Sequence, residues 1–255
     1  MTTRSVRLPL PASGLLAAGL FLGAPLTAQE APGPWSATIY LQQSWPKQTE
    51  TNRQIKDINA ALGSSFKTWD DVANLNLGLQ VFRDLDPHWK VGLEWDVSKG
   101  RIHGTSTTTF VTIAPQDPVT YAFEQKYTLY TDLLAVAQYR PLGTQHRWTP
   151  FLLLGLGVAY EEDHTTLTMQ SNFAPLNDTL VQVDNHGWFP MLTAGVGVDV
   201  YLTERRAWYV EAGASYTWAR LKHDVPAHGS LVPPTVRADT DSTGPNVWLG
   251  LGRRF

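Results

Sequence analysis

The feature that most limits what this chain can fold into is an apolar–polar alternation with a period of two, sustained over most of its length. From Trp89 one set of alternate residues is Trp89, Val91, Leu93, Trp95 and Val97, and the intervening set is Lys90, Gly92, Glu94, Asp96 and Ser98. From Trp188 the apolar set runs Trp188, Pro190, Leu192, Ala194, Val196, Val198, Val200 and Leu202, against Thr193, Gly195, Gly197, Asp199 and Tyr201. From Trp208 it runs Trp208, Val210, Ala212, Ala214, Tyr216 and Trp218, against Tyr209, Glu211, Gly213, Ser215 and Thr217. A helix would return its apolar residues every three or four positions, so these segments are strands. The same reading predicts eight strands, over roughly 35–45, 69–83, 89–103, 121–140, 148–164, 186–203, 208–222 and 245–255. Three connections are short (84–88, 141–145 and 204–206) and four are long. Short turns at one end and long loops at the other describe an all-β, antiparallel up-and-down meander with both termini on one side.

Which face looks inward follows from volume. An eight-stranded barrel has an interior just wide enough for side chains. The apolar set is too bulky for it, whereas the other set is rich in glycine and carries Lys90, Glu94, Asp96, Asp132, Asp199, Glu211 and Arg254. The expectation is therefore a transmembrane barrel with its apolar face turned to lipid and these polar residues enclosed. Closure would satisfy every backbone donor and acceptor without an exposed edge. Aromatic residues fall where membrane interfaces belong: Trp89, Tyr139 and Trp208 toward the short turns, and Trp45, Trp69, Tyr127, Tyr160, Trp188 and Trp218 toward the long loops.

Residues 1–28 read as a secretory signal peptide. Arg4 and Arg7 precede an apolar stretch from Leu8 to Leu26, and Thr27-Ala28 supplies a small residue for cleavage. Residues 29–255 then form one barrel domain. The chain has no cysteine, which excludes disulfides, thiol catalysis and Cys-bound zinc. A net charge of −3 without a basic block argues against a nucleic-acid partner.

The last residues, Asn246-Val247-Trp248-Leu249-Gly250-Leu251-Gly252-Arg253-Arg254-Phe255, form an alternating strand that ends in an aromatic residue. This segment resembles the C-terminal strand of bacterial outer-membrane barrels, with Leu249, Leu251 and Phe255 keeping the pattern and Arg253 departing from it. With the leader and the strand count, the chain resembles a small outer-membrane β-barrel of the OmpX, OmpW or OmpA-barrel-domain kind. That resemblance implies residence in the outer membrane, contact with lipid and lipopolysaccharide, and recognition by periplasmic chaperones and the barrel-assembly machinery during biogenesis. It also implies a monomer without cofactor or metal.

The long loops differ in character. Residues 105–114 and 165–173 are rich in β-branched residues and are followed by turn signals at 115–118 and 174–178, so strands three to six are expected to project past the bilayer as hairpins. In the first loop Ile55, Ile58 and Leu62 stand at helical spacing before Gly63, which suggests a short helix or lid. The fourth, 223–244, is rich in Pro, Asp and Ser and reads as a mobile loop. Enclosed acids such as Asp199 and Glu211 read as a polar plug, with a narrow cation path as the alternative. Two outer-rim groupings, His103 with Ser106 and Glu161-Glu162-Asp163-His164, are the only candidates for a nucleophile–base pair or a loose metal site. Neither has a companion motif. The functional expectation is a non-enzymatic barrel with a structural or surface-interaction role. The alternatives are a narrow pore for small or apolar solutes and, behind it, a lipid-modifying enzyme.

Overall fold

The computed structural model describes residues 33–72, 74–109, 118–171 and 177–255; the leader and the turn residues 115–117 and 174–176 lie outside them. The strands are β1 (Trp35–Ser44), β2 (Asn74–Asp84), β3 (Trp89–Thr109), β4 (Pro118–Tyr139), β5 (Trp148–Ser171), β6 (Asp178–Tyr201), β7 (Trp208–His228), β8 (Thr235–Asp241) and β9 (Gly244–Arg254). One helix, α1 (Thr49–Leu62), follows β1.

Each strand from β1 to β7 pairs antiparallel with the next. β9 lies between β7 and β1 and closes the ring at eight strands. The start of β1 and the last residue stitch the closure, with Phe255 N donating to Trp35 O at 2.9 Å. The short turns are locally encoded: Asp86 Oδ1 accepts from His88 N at 2.7 Å and Trp89 N at 2.8 Å, an Asx turn that starts β3.

The barrel is inside-out relative to a soluble one. Leu77, Leu93 and Val196 are 49%, 56% and 56% exposed, while Glu94 and Asp199 are 7% and 0% exposed. Leu75, Leu133, Leu152, Leu154, Leu156 and Leu249 continue the outer belt. Water cannot face so large a contiguous apolar surface, so the belt is in lipid. Among the described residues no helix is long and apolar enough to cross a membrane; the strands cross it.

Aromatic residues ring both rims. Trp89 packs on Tyr139 with ring centroids 4.9 Å apart, and Arg253 lies 5.4 Å over Trp208. At the other rim Tyr160 packs on Trp188 at 5.1 Å, and exposed Trp218 packs on Tyr216, with Trp45 exposed nearby in the chain's first loop. Two expected members of the rim are not there. Trp69 and Tyr127 are 1% and 5% exposed and pack on each other inside the barrel mouth at 4.6 Å. Trp69 lies in a single 3-10 turn, Trp69–Asp71, so strand β2 begins only at Asn74 and the alternation never reaches Trp69. Tyr127 is turned inward by a β-bulge: the β4–β5 ladder passes from Tyr127↔Asp163 to Leu129↔Glu162, leaving Thr128 as the extra residue and inverting the phase.

Beyond the Tyr160–Trp188 rim, β5 continues to Ser171, roughly 35 Å of strand. The β3–β4 ladder likewise extends to Thr109↔Pro118, and β5–β6 to Met169↔Asp178. The fourth loop is not the irregular segment its composition suggested. β8 pairs with β7 from Arg220↔Asp241 to Pro226↔Thr235, in the same register as Thr217↔Gly244 below it. β8 and β9 are therefore one strand interrupted at Ser242–Thr243.

Candidate functional site

The enclosed face divides into three levels. Nearest the short turns is a charge plug. Lys90 is fully buried, with Nζ 3.5 Å from Glu211 Oε2, 3.6 Å from Asp199 Oδ2 and 4.4 Å over the Phe82 ring. Asp199 and Glu211 face each other across β6 and β7. Arg140 spans to Asp84 at 2.7 Å and to Asp199 at 3.5 Å, and Arg254 reaches Asp84 at 2.5 Å. Trp248 Nε1 donates to Glu211 Oε1 at 3.0 Å. Three cations and three carboxylates interlock, as a low-dielectric interior requires.

Sequence reasoning missed Arg140 and Asp84 because both sit at strand ends beside short turns. It also missed the inward aromatics Phe82, Phe151 and Phe189, all 2% exposed or less. The signal for some of these was glycine on the neighbouring strand: a Cβ at Gly197 would fall 2.3 Å from Phe151, and one at Gly92 would fall 2.7 Å from Phe82. Lys126 is exposed on the outer face, where the shift in β4 places it.

Above the plug, Glu94, Asp96 and Asp132 cluster with neutral partners. Gln80 Nε2 donates to Glu94 at 2.7 Å, and Tyr40 Oη donates to Asp96 at 2.6 Å. Asp96 and Asp132 are direct neighbours across β3 and β4.

The third level is a vestibule between the projecting strands. The helical spacing in the first loop produces α1, ended by Gly63 in a left-handed conformation at φ 61°. Asn52 fastens it: Nδ2 donates to Lys47 O and to Asp70 Oδ1, both at 2.8 Å, and Oδ1 accepts from Trp69 N at 2.7 Å. Trp69 Nε1 in turn donates to Gln125 at 2.8 Å. Ile55, 1% exposed, joins an apolar cluster with Phe66, Trp69, Tyr127, Phe123 and Leu167. Beside it lies a cavity of about 390 Å³, walled by α1, the inner faces of β4 to β6, and β8. Most of its open surface is apolar, from Ile55, Ile58, Phe123, Leu167, Val181 and Val236, with Glu50, Asp57, Glu161, Asp163 and Arg237 also in the wall. Asp163 lies at its base. Burial pushes that carboxyl up to about 6, although a hydrogen bond from Asn185 holds it down.

The wall beside the cavity has an interrupted seam. β6 and β7 pair from Tyr201↔Tyr209 up to Met191↔Ala219 and again at Val183↔Ala227, with no ladder pairs between. Pro190 and Pro226, which have no N–H, stand at the edges of this stretch. The strands remain close, since a Cβ at Gly187 would lie 3.0 Å from Leu221.

The rim groupings do not assemble a reactive centre. His103 is exposed and Ser106 lies on the opposite face of β3. Along β5, Glu161 and Asp163 point inward and are buried, while Glu162 and His164 point outward. His164 pairs instead with Asp184. Among the described residues no three His, Cys, Asp or Glu side chains converge as a metal site.

No family model matches the chain, and no curated protein matches it. Among solved structures it is similar to outer-membrane protein OprG from Pseudomonas aeruginosa, with TM-score 0.46, 16% identity, and coverage of 90% of this chain and 99% of that one. It is also similar to OmpW of E. coli (TM-score 0.36, 17% identity, coverage 89% and 100%) and to Ail, the attachment invasion locus protein of Yersinia pestis (TM-score 0.37, 13% identity, coverage 88% and 99%). By its own geometry the chain is a closed eight-stranded antiparallel barrel with an apolar exterior.

Proposed function

We propose that this outer-membrane barrel binds small apolar molecules in its outer vestibule and releases them sideways into lipid, without chemical turnover and without conducting ions along its axis. The observation that carries this reading is the cavity of about 390 Å³, apolar on most of its open surface and roofed by α1. A volume of this order falls in the lower part of the range for small-molecule sites, and such sites are usually apolar with a few polar groups. Below it the axial route is filled by the ion pairs of Lys90, Arg140 and Arg254. The unpaired stretch between Val183 and Met191 adjoins the cavity, which Val183 and Asn185 line, and offers an apolar guest a sideways route through the wall. The projecting β3–β6 hairpins support surface interaction as a second reading, through strand edges that reach beyond the rim.

The test is equilibrium binding of an uncharged naphthylamine dye to the barrel in lipid nanodiscs, with empty nanodiscs as the blank. Saturable binding is expected, and it should be lost when Val181→Trp fills the cavity. Planar-bilayer recordings should show no conductance steps. Dye binding no greater than to empty nanodiscs, or undiminished by V181W, overturns the proposal.

A further inference from the structure

The upper lumen holds a void of about 40 Å³ that no side chain fills. A single water needs roughly 10–15 Å³ by this kind of measure, so the space takes an ion with accompanying water. Among the described residues that wall it are Asn76 from β2, Tyr130 and Asp132 from β4, Glu161 from β5 and Asn246 from β9. No Lys, Arg or His is among them.

Two acceptors on the wall are unpaired. Asp132 and Asn76 are 3% and 4% exposed, and the Oδ1 atom of each has no hydrogen-bond partner. Just outside the lining, Asp96, directly across from Asp132, accepts from Tyr40 on one oxygen and leaves its Oδ2 without a partner. The Asn246 amide is already committed, donating to Thr217 at 2.9 Å and Ser215 at 3.4 Å. Glu161 takes a long bond from Ser242 Oγ, at 3.4 Å, and shares a hydrogen bond with Asp163. Buried oxygen acceptors without donors call for a positive guest. The lower plug answers the same need with Lys90, and here the chain supplies no such side chain.

We propose that this void is a binding site for a hard divalent cation, Ca²⁺ by its donor chemistry, held by Asp132, Glu161 and the Asn76 carbonyl with water completing the shell. All the donors are oxygens, which disfavours zinc. Carboxylates, an amide carbonyl and water in an irregular arrangement suit Ca²⁺, whereas Mg²⁺ demands near-octahedral geometry. Two carboxylates balance its charge. Gln48, Tyr127 and Glu161 wall both this void and the vestibule, so the ion arrives from the outer side. Once bound, it ties β2, β4 and β5 together as Lys90 ties β3, β6 and β7 below.

The experiment is Tb³⁺ luminescence with the intact barrel in nanodiscs, excited through the aromatic residues, since Tyr127 and Tyr130 line the void. One saturable site per chain is expected, displaced by Ca²⁺ and much less by Mg²⁺. Asp132→Asn and Asn76→Ala should each weaken Tb³⁺ about tenfold or more, at least the loss that changes just outside a metal's ligands cause, while Glu204→Gln in the exposed turn before β7 leaves it unchanged. Heat-modifiable gel mobility verifies that each variant has folded. As a measurement independent of any variant, Ca²⁺ should raise the thermal midpoint of the chelator-treated wild type. Absence of saturable emission, emission undiminished from wild type in D132N and N76A, or a midpoint indifferent to Ca²⁺ overturns the proposal. Dye binding in the vestibule is unaffected by either result.

Discussion

Replacing Lys90 with Met is the sharpest test of the enclosed charge plug. The side chain is fully buried and its ammonium stands 3.5 Å from Glu211 and 3.6 Å from Asp199, both buried to the same degree. Methionine fills similar volume and keeps contact with Phe82 and Phe151, so the change isolates the charge. It leaves two carboxylates 0% exposed, with Arg140 still 3.5 Å from Asp199 but no cation at Glu211. Removing one partner of a buried pair costs ~3–5 kcal/mol, most of it the penalty of the charge left behind. Because Arg140 remains, K90M should lose about 3 kcal/mol, at the lower edge of that range. The assay is urea unfolding in lipid vesicles, followed by the loss of heat-modifiable gel mobility. Adding Glu211→Gln to K90M should recover at least half of the loss, since the stranded charge is then gone and Trp248 can still bond the amide oxygen. If K90M costs under about 1 kcal/mol, or E211Q deepens the loss instead of relieving it, the plug is not an electrostatic unit.

Three further outcomes follow from the geometry. Leu154→Arg, in the middle of the outer belt, should destabilise the barrel by ~2–4 kcal/mol in vesicle unfolding, whereas arginine is accommodated at the rim, where residue 253 already is one over Trp208. Asn52→Ala removes three hydrogen bonds that anchor α1, including the acceptor for buried Trp69 N; limited proteolysis should cut the 49–71 segment faster while the gel mobility of the barrel is unchanged. Deleting Phe255 removes the backbone stitch to Trp35 and the terminal aromatic, so assembly into vesicles assisted by the barrel-assembly machinery should slow, with little change in the stability of barrels that do form.

Much of this was legible from the period of two. Leu77, Leu93 and Val196 outside, with Glu94 and Asp199 inside, follow from volume alone. Ile55, Ile58 and Leu62 ahead of Gly63 encoded α1. What failed to show did so for local reasons. One inserted residue, Thr128, reverses the face of everything above it on β4, and nothing in the composition marks the insertion. The 3-10 turn at Trp69 looks like the first step of a strand. The prolines and aspartates of 223–244 suggested a loop, but pairing along β7 overrides propensity and extends β9 into β8. Arg140 and Asp84 meet only once the register is known. The vestibule is also a tertiary object: its walls come from α1, three long strands and β8, which no single segment announces.

The central claim is that the belt of Leu93, Leu154, Val196 and Leu249 lies in acyl chains. Because the chain has no cysteine, a single cysteine at each of these positions can carry a nitroxide label, with the barrel in lipid vesicles. Collision with oxygen should be frequent and collision with a water-soluble nickel complex rare at all four, while labels at Lys56 and Arg237 show the reverse. Labels at Leu93, Leu154 and Val196 that meet nickel as readily as those at Lys56 would contradict it.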